Sequence, residues 1–258
     1  MSNQPAIVAL IPARSGSKRV KNKNIKQLAD HPVIAYTIFQ AVASSVFDAV
    51  IVSTEDETTA DIARHYGAEV PFMRLAEYAA DRSPDIEWLT YTLQRLESEG
   101  RTFDCFSILR PTSPFRQPET IRRAWQQFKD TPGIDSLRAV ERVRQHPGKM
   151  WVIHGDRMTP LLLNPRGVPW HSSATQSLPP VYVQNASLEI AWTRVVLEEG
   201  TIAGEVLAPF ITEGYEGYDI NDPEDWWLAE ELIRQGQVVL PYIDREPYPL
   251  DLDNDPHT

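Results

Sequence analysis

The residues best suited to chemistry form one short stretch near the start of the chain. An apolar run that predicts a buried strand is followed at residues 12–19 by PARSGSKR. The Ser-Gly-Ser at residues 15–17 is small enough to let backbone N–H groups approach phosphate oxygens closely. Positive charge that suits a triphosphate follows within a few residues, at Arg14, Lys18, Lys21 and Lys23. This combination predicts a phosphate-binding loop, and a solvated basic turn is the alternative that the pattern leaves open.

The loop differs from two common nucleotide-binding motifs. It contains neither G-x-x-x-x-G-K-[ST] nor the dinucleotide pattern G-x-G-x-x-G. The chain of 258 residues has a formal net charge of -11. This charge argues against a protein that coats nucleic acid, because phosphate backbones are bound by clustered Lys and Arg. A local cationic pocket for a single nucleotide remains compatible with it.

The surrounding sequence predicts the elements that must position this loop. Short β-rich apolar runs alternate with helical patterns, which is typical of βαβ units around a mainly parallel sheet. In such a sheet, ligands gather outside the carboxyl ends of the strands. We predict strands at residues 6–12, 49–53, 103–109, 135–140 and 185–191, short extended pieces at 206–211 and 218–220, and helices at 32–44, 57–66, 84–99, 118–129 and 222–234.

Residues 141–181 interrupt this alternation, because they mix Pro, Gly, His and Trp without a helical period. We predict one domain over residues 1–243, into which 141–181 is inserted, followed by an acidic, Pro-rich tail at 244–258. The lone cysteine, Cys105, lies in an apolar run and is expected in the core. The N-terminal apolar stretch is too short for a signal peptide, and no segment is long enough to cross a bilayer, so we expect a cytoplasmic protein without a membrane partner.

Five segments, in order, resemble motifs of the acylneuraminate cytidylyltransferases, which make CMP-sialic acid and related CMP-sugars. The resemblance extends from about residue 6 to 235. The segments are LIPARSGSK at residues 10–18 with KN at 23–24, VSTED at 52–56, VPFMR at 70–74 with AD at 80–81, LRPTSPFR at 109–116 and YDINDPEDW at 218–226.

The resemblance implies an α/β fold, specifically a three-layer α/β/α Rossmann-like nucleotidyltransferase fold with a mainly parallel sheet. It also implies that residues 141–181 form a dimerisation arm, and hence that the protein is a homodimer. The implied reaction is attack by the anomeric hydroxyl of a sugar acid on the α-phosphate of CTP, with Mg²⁺ as cofactor and pyrophosphate as leaving group. CTP is therefore the expected nucleotide.

The same resemblance implies roles for individual residues. Arg14 and Lys23 would hold the triphosphate and neutralise the leaving pyrophosphate, and Asp219 would hold Mg²⁺; these three are the predicted catalytic residues. Asn221 is the predicted second metal position, weaker than the Asp that the family usually has there. The predicted nucleotide-binding residues are Ala13, Arg14, Ser15, Gly16, Ser17, Lys18, Lys23, Asn24, Arg74, Asp81 and Ser83.

The acceptor site departs from the family pattern. Arg110 replaces a common Gln, and its fork suits bidentate contact with a carboxylate or phosphonate, although a structural salt bridge is an equal alternative. VQNASLE at residues 183–189 lacks the usual arginine and gains Glu189 at a tyrosine position. These departures count against sialic acid itself, so a phosphonate or aminosugar acid acceptor stays open. A non-catalytic nucleotide-binding homologue also stays open, because Asn221 and Glu55 stand where the family usually has Asp. The predicted substrate-binding residues are Arg110, Thr112, Ser113, Gln184, Asn185 and Glu189.

Overall fold

The computed structural model describes residues 4–164 and 167–249. The chain divides into a larger unit, Met1–Ala139 with Asn185–Thr258, and a smaller unit, Val140–Gln184. The strands are β1 (Ile7–Pro12), β2 (Gln27–Leu28), β3 (His31–Pro32), β4 (Ala49–Ser53), β5 (Cys105–Ile108), β6 (Ser136–Arg142), β7 (Trp151–His154), β8 (Arg157–Pro160), β9 (Tyr182–Trp192) and β10 (Leu207–Ile211). The helices are α1 (Val33–Ser44), α2 (Glu57–His65), α3 (Asp85–Ser98), α4 (Pro118–Asp130), α5 (Thr193–Leu197) and α6 (Pro223–Arg234).

A six-stranded sheet in the order β10-β6-β9-β5-β1-β4 organises these elements. Strand β1 pairs in parallel with β4 on one side and β5 on the other, and β9 runs antiparallel to β5. The sequence IVALIP of β1 is apolar throughout, as expected for a strand covered on both faces. Because β1, β4 and β5 are parallel, the loops that follow them meet at one edge of the sheet.

Alternate residues of β1 enter two different cores. Ile7, Ala9 and Ile11 pack in a cluster with residues of α1, α2, α4 and α6, whereas Val8 and Leu10 pack in a second cluster with residues of α3 and α5. Side chains alternate between the faces of a strand, so helices cover both faces of the sheet. This arrangement confirms the predicted three-layer α/β/α fold with a mostly parallel central sheet.

Most element ends follow the sequence signals, and two differ. Asp222 caps α6 by accepting from the Asp225 backbone, with Pro223 in the first turn, as predicted. Pro84, predicted as the first residue of α3, is instead its N-cap, with an extended ψ of 150°. Residues 218–220, predicted as extended structure, form no strand; the Ile220 N–H donates to the Thr112 carbonyl at 2.9 Å.

The smaller unit contains the predicted arm at residues 141–181 and is built on the β7–β8 hairpin. Within this unit a Cβ at Gly148 would lie 2.8 Å from the Trp170 Cβ, so only glycine fits there without displacement. Of the predicted tail at residues 244–258, residues 250–258 lie outside the described part of the chain. Among the described residues, no helix combines the length and the apolar character needed to cross a bilayer.

Candidate active site

A cleft of about 440 Å³ lies in the larger unit, lined by the loops after β1 and β5 and by the segment at residues 74–88. It is lined by many of the residues predicted from the sequence, so the structure brings together segments up to about two hundred residues apart. The predicted residues in its lining are Arg14, Ser17, Lys23, Asn24, Arg74, Asp81, Ser83, Arg110, Thr112, Asp219 and Asn221.

The structure places the other predicted residues elsewhere. Ala13 and Ser113 are buried, and the Asn185 amide donates to the Thr212 hydroxyl at 2.9 Å. Gln184 is an exposed residue of the smaller unit. Outside the cleft lining are Ala13, Ser15, Gly16, Lys18, Ser113, Gln184, Asn185 and Glu189.

The loop after β1 is held in shape by contacts to its backbone. The Ala13 N–H donates to the Ser53 carbonyl at 3.0 Å, and the Asn24 amide donates to the Arg14 carbonyl at 3.0 Å. The backbone N–H and the hydroxyl of Ser15 both donate to Glu55 Oε1 at 2.8 Å. A carboxylate therefore occupies the Ser15 N–H, which the sequence assigned to phosphate. The loop reaches Lys23 through Asn22, a residue type that tolerates its left-handed φ of 53°.

Asp81, in the cleft lining, pairs with two of the cations of this loop. Its carboxylate accepts from Arg14 Nη1 at 2.9 Å and forms an ion pair with Lys18. Hydrogen bonds from Lys18 and then Arg14 lower the pKa of Asp81, so it is ionised at neutral pH. The pairs are solvent-screened and hence weak. A triphosphate that binds Arg14 and Lys18 must compete with this carboxylate.

Asp81→Asn is accordingly expected to strengthen the binding of inorganic pyrophosphate in the absence of metal, by up to about fivefold. Titration calorimetry measures the change in Kd. Asp61→Asn is the matched control, because Asp61 pairs with Arg64 on the exposed face of α2. Weaker pyrophosphate binding by Asp81→Asn would instead mean that Asp81 supports the loop.

Lys23 and Asp219 both line the cleft and lie near each other. Lys23 Nζ donates to the Ile220 carbonyl at 2.8 Å. Burial lowers the pKa of Lys23, and the nearby Asp219 carboxylate partly opposes this. Asp219 Oδ2 accepts from the Asn221 amide at 2.6 Å, and Asn221 Oδ1 in turn accepts from Arg19 at 3.3 Å. Both polar ends of Asn221 are thus engaged by protein.

Asp219 Oδ1 is buried and has no hydrogen-bond partner in the described part of the chain. Buried carboxylate oxygens normally have a partner, so this atom suits a cation. The described residues contain no group of three His, Cys, Asp or Glu side chains that could enclose a metal. Mg²⁺ needs no such cage, since it is commonly held by one or two carboxylates together with phosphate oxygens and water. The residues present therefore fit a Mg²⁺–triphosphate complex.

Arg74 forms a fixed part of the cleft wall. Its guanidinium donates to the hydroxyl and the carbonyl of Ser53 at 3.0 and 2.9 Å, and lies 4.8 Å from the Trp88 ring centre. Burial lowers the pKa of Arg74 to about 10, which leaves it charged at neutral pH. Ser83 is held by donating its hydroxyl to the Glu77 carbonyl at 2.7 Å.

Arg110 also lines the cleft. Its Nη2 donates to Asp85 Oδ2 at 2.5 Å and to Glu189 Oε1 at 3.3 Å. Burial alone would lower the pKa of Arg110, but the two carboxylates outweigh it and raise the pKa. A guanidinium binds a carboxylate through two nitrogens at once, either Nη1 with Nη2 or Nε with Nη2. Because Asp85 and Glu189 already take Nη2, a further anion can bind Nη1 or Nε singly but not as a bidentate pair.

Several lining residues were missed from the sequence. They are Pro12, Tyr78, Ala80, Asp85, Trp88, Pro111 and Ala186. Asp85 could have been noticed in the sequence, because it directly follows Pro84 in the first turn of a predicted helix. Its partner, 25 positions away, could be recognised only in the folded chain.

Comparison with known proteins identifies the family. A model of the family described as cytidylyltransferase matches residues 8–146. The chain belongs to the cytidylyltransferase family. The enzyme is 35% identical to CMP-N,N'-diacetyllegionaminic acid synthase of Legionella pneumophila over 237 residues, which cover 91% of this chain and 99% of the relative. It is 42% identical to N-acylneuraminate cytidylyltransferase of Escherichia coli over 136 residues, 53% of this chain and 31% of that protein.

A solved structure supports the fold. The enzyme resembles CMP:2-keto-3-deoxy-manno-octonic acid synthetase complexed with CTP, with a TM-score of 0.66 over 90% of this chain and 99% of that one. The sequence identity is 15%, so this similarity concerns the fold. The predicted membership among acylneuraminate-type cytidylyltransferases is confirmed.

Proposed function

We propose that the enzyme transfers CMP from CTP to the anomeric hydroxyl of a nonulosonic sugar acid and releases pyrophosphate. The observation that carries this proposal is the convergence of Arg14, Lys23 and the unpaired Asp219 Oδ1 on one cleft. Support for the acceptor class comes from the similarity, over almost the full chain, to a synthase named for such a product.

In this reaction the oxygen of the acceptor hydroxyl forms a bond to the α-phosphorus and gives up its proton to solvent, while the bond from that phosphorus to the oxygen bridging to the β-phosphate breaks. Charge grows on the departing pyrophosphate, and Arg14 and Lys23 are placed to neutralise it. Lys23 uses one of its three donors on Ile220, which leaves two for phosphate oxygens. Mg²⁺, when bound, would supply further positive charge; Asp219 would hold it, with Asn221 as a weaker second position.

Arg110 is proposed to bind the acid group of the acceptor. It lines the cleft, and its Nε and Nη1 make no hydrogen bond to the described residues. A sugar-acid carboxylate that reaches Nη1 would satisfy this donor by a charge-assisted bond. Arg110 also forms the structural salt bridges that were the alternative to acceptor binding, with Asp85 and Glu189. In this proposal the same side chain forms these salt bridges and binds the acceptor.

A nucleotide and acceptor panel tests the proposal. CTP should raise the melting temperature more than ATP, GTP or UTP, and pyrophosphate release should require a sugar acid. Acceptors to compare are N,N'-diacetyllegionaminic acid, N-acetylneuraminic acid, an aminosugar acid and a phosphonate. Equal protection by all four nucleotides would refute the preference for CTP, and release with the phosphonate alone would move the acceptor to another class.

We also propose that the enzyme is a homodimer joined through the smaller unit. The β7–β8 hairpin carries the cross-strand pair Ile153 and Met158, with 74% and 57% of their surfaces exposed. Exposed apolar residues that cluster on one surface mark sites where a partner can bind, and this pair supports the proposal.

Changing both Ile153 and Met158 to Lys is therefore expected to convert a dimer into a monomer at micromolar concentration, with an unchanged circular dichroism spectrum. Light scattering measures the mass. Val239→Lys, at an apolar residue that is 76% exposed in the larger unit, is the control and should leave the dimer intact. A wild-type protein that is monomeric at this concentration would overturn the assembly.

A further inference from the structure

A line of alternating charges runs from the cleft lining at Asp85 and Arg110 to the buried Glu189 and Arg138. Asp85 Oδ2 lies 2.5 Å from Arg110 Nη2, which lies 3.3 Å from Glu189 Oε1. The other oxygen of Glu189 lies 2.9 Å from Arg138 Nη1. This last contact is an ion pair rather than a directed hydrogen bond, since Glu189 Oε2 has no hydrogen-bond partner among the described residues. One carboxylate thus stands between two arginines.

The sheet fixes this order. Arg138 belongs to β6 and Glu189 to β9, and Arg110 follows the end of β5 by two residues. These strands are neighbours in the order β6-β9-β5, and Glu189 is in register with Ile108 of β5. Since regular strands set these positions, the charge line is part of the scaffold.

Burial makes the pairing of Glu189 obligatory. The Glu189 side chain is 6% exposed and that of Arg138 is 12% exposed, whereas Arg110 is 28% exposed and reaches the cleft. A buried charge is tolerated only when it is paired. Glu189, predicted from the sequence to bind substrate, is therefore buried outside the cleft lining, and it contacts the lining residue Arg110.

We propose that Glu189, backed by Arg138, is a positioning residue that holds Arg110 so that Nη1 meets the acceptor carboxylate. The inference rests on the proposed function for its ligand. Asp85 and Glu189 both accept from Arg110 Nη2. Because the guanidinium is planar, fixing Nη2 between two carboxylates also fixes the directions of Nη1 and Nε. In a Glu189→Gln variant, Arg110 would pair with Asp85 alone and would be repelled by the positive charge of Arg138, which no longer has Glu189 as its partner.

Glu189→Gln is expected to raise the KM for the sugar acid on the order of tenfold, the scale of one charge-assisted contact, and to leave the KM for CTP within about twofold. Combining it with Arg110→Gln gives the decisive comparison. If Glu189 acts through Arg110, Glu189→Gln adds no further change to the acceptor KM of Arg110→Gln, because the residue it positions is gone.

Two further variants separate positioning from stability. Glu189→Gln leaves Arg138 without its buried partner and should lower the melting temperature. Adding Arg138→Gln removes that unpaired charge and should restore the melting temperature but not the acceptor KM. Glu216→Gln is the matched control, because Glu216 is also a poorly exposed carboxylate paired with an arginine, Arg123, away from the cleft lining. It should change neither KM.

Nitrogen NMR gives a readout that needs no acceptor. A held guanidinium rotates slowly, so Nη1 and Nη2 of Arg110 should give separate signals in the wild type and averaged signals in Glu189→Gln. Separate wild-type signals with no turnover of any sugar acid would refute the proposed function and leave the positioning intact. Averaged wild-type signals, additive KM effects, or an equal rise in the KM for CTP would overturn the positioning.

Discussion

Replacing Asp219 by alanine is expected to reduce Mg²⁺-dependent CMP transfer by roughly a thousandfold or more, because the cation loses its main protein anchor. Asp219 Oδ1 is a buried carboxylate oxygen without a hydrogen-bond partner among residues 4–164 and 167–249, and Lys23 lies near this carboxylate. Pyrophosphate release measured across a Mg²⁺ titration checks this. The fold should survive, since α6 is capped by Asp222 and Asp225 rather than by Asp219.

Asn221→Asp is the companion variant, with the opposite expected effect. A second carboxylate next to Asp219 should lower the Mg²⁺ concentration needed for half-maximal activity. If Asp219→Ala keeps full Mg²⁺-dependent activity, the metal binds elsewhere. If Asn221→Asp leaves the Mg²⁺ requirement unchanged, Asn221 acts only by orienting Asp219 through its amide.

Replacing Arg14 by alanine is expected to lower kcat by about a hundredfold to a thousandfold, which corresponds to roughly 3–4 kcal/mol of transition-state stabilisation. Arg14 contacts the Ala79 carbonyl and Asp81 at the edge of the cleft, so its loss should leave the melting temperature almost unchanged. Steady-state kinetics with saturating CTP measures the effect.

Arg82→Ala is the matched control for Arg14→Ala, because Arg82 is an exposed arginine next to Asp81 that does not line the cleft. It should keep wild-type kcat. An Arg14→Ala enzyme with near wild-type kcat would contradict the phosphate role, and a large loss in Arg82→Ala would point to a general effect of charge.

Local signals in the sequence predicted much of this structure. The buried strand β1, the loop after it and the cap of α6 depend on residues close together in the chain. Asp222 and Asp225, for example, form a capping box within one helical turn. The fold class followed from the alternation of strands and helices, because that alternation admits few packed arrangements.

Long-range contacts could not be predicted in this way. Ser15 was assigned to phosphate, but Glu55, 40 positions later, accepts its N–H and its hydroxyl. Arg110 has partners 25 and 79 positions away, so its two roles were indistinguishable from the sequence. Glu189 is predicted from the sequence to bind substrate. Its burial beside Arg138 could not be predicted, because it depends on how three strands are ordered in the sheet.

The most direct test of the proposed activity follows an oxygen atom. N,N'-diacetyllegionaminic acid labelled with ¹⁸O at the anomeric hydroxyl is incubated with the enzyme, CTP and Mg²⁺. The masses of the products are then measured by mass spectrometry. If the anomeric oxygen attacks the α-phosphate, the CMP-sugar retains the label and forms together with an equal amount of unlabelled pyrophosphate. CTP cleaved only to free CMP, or a CMP-sugar that has lost the label when the unreacted acid keeps it, would contradict the account.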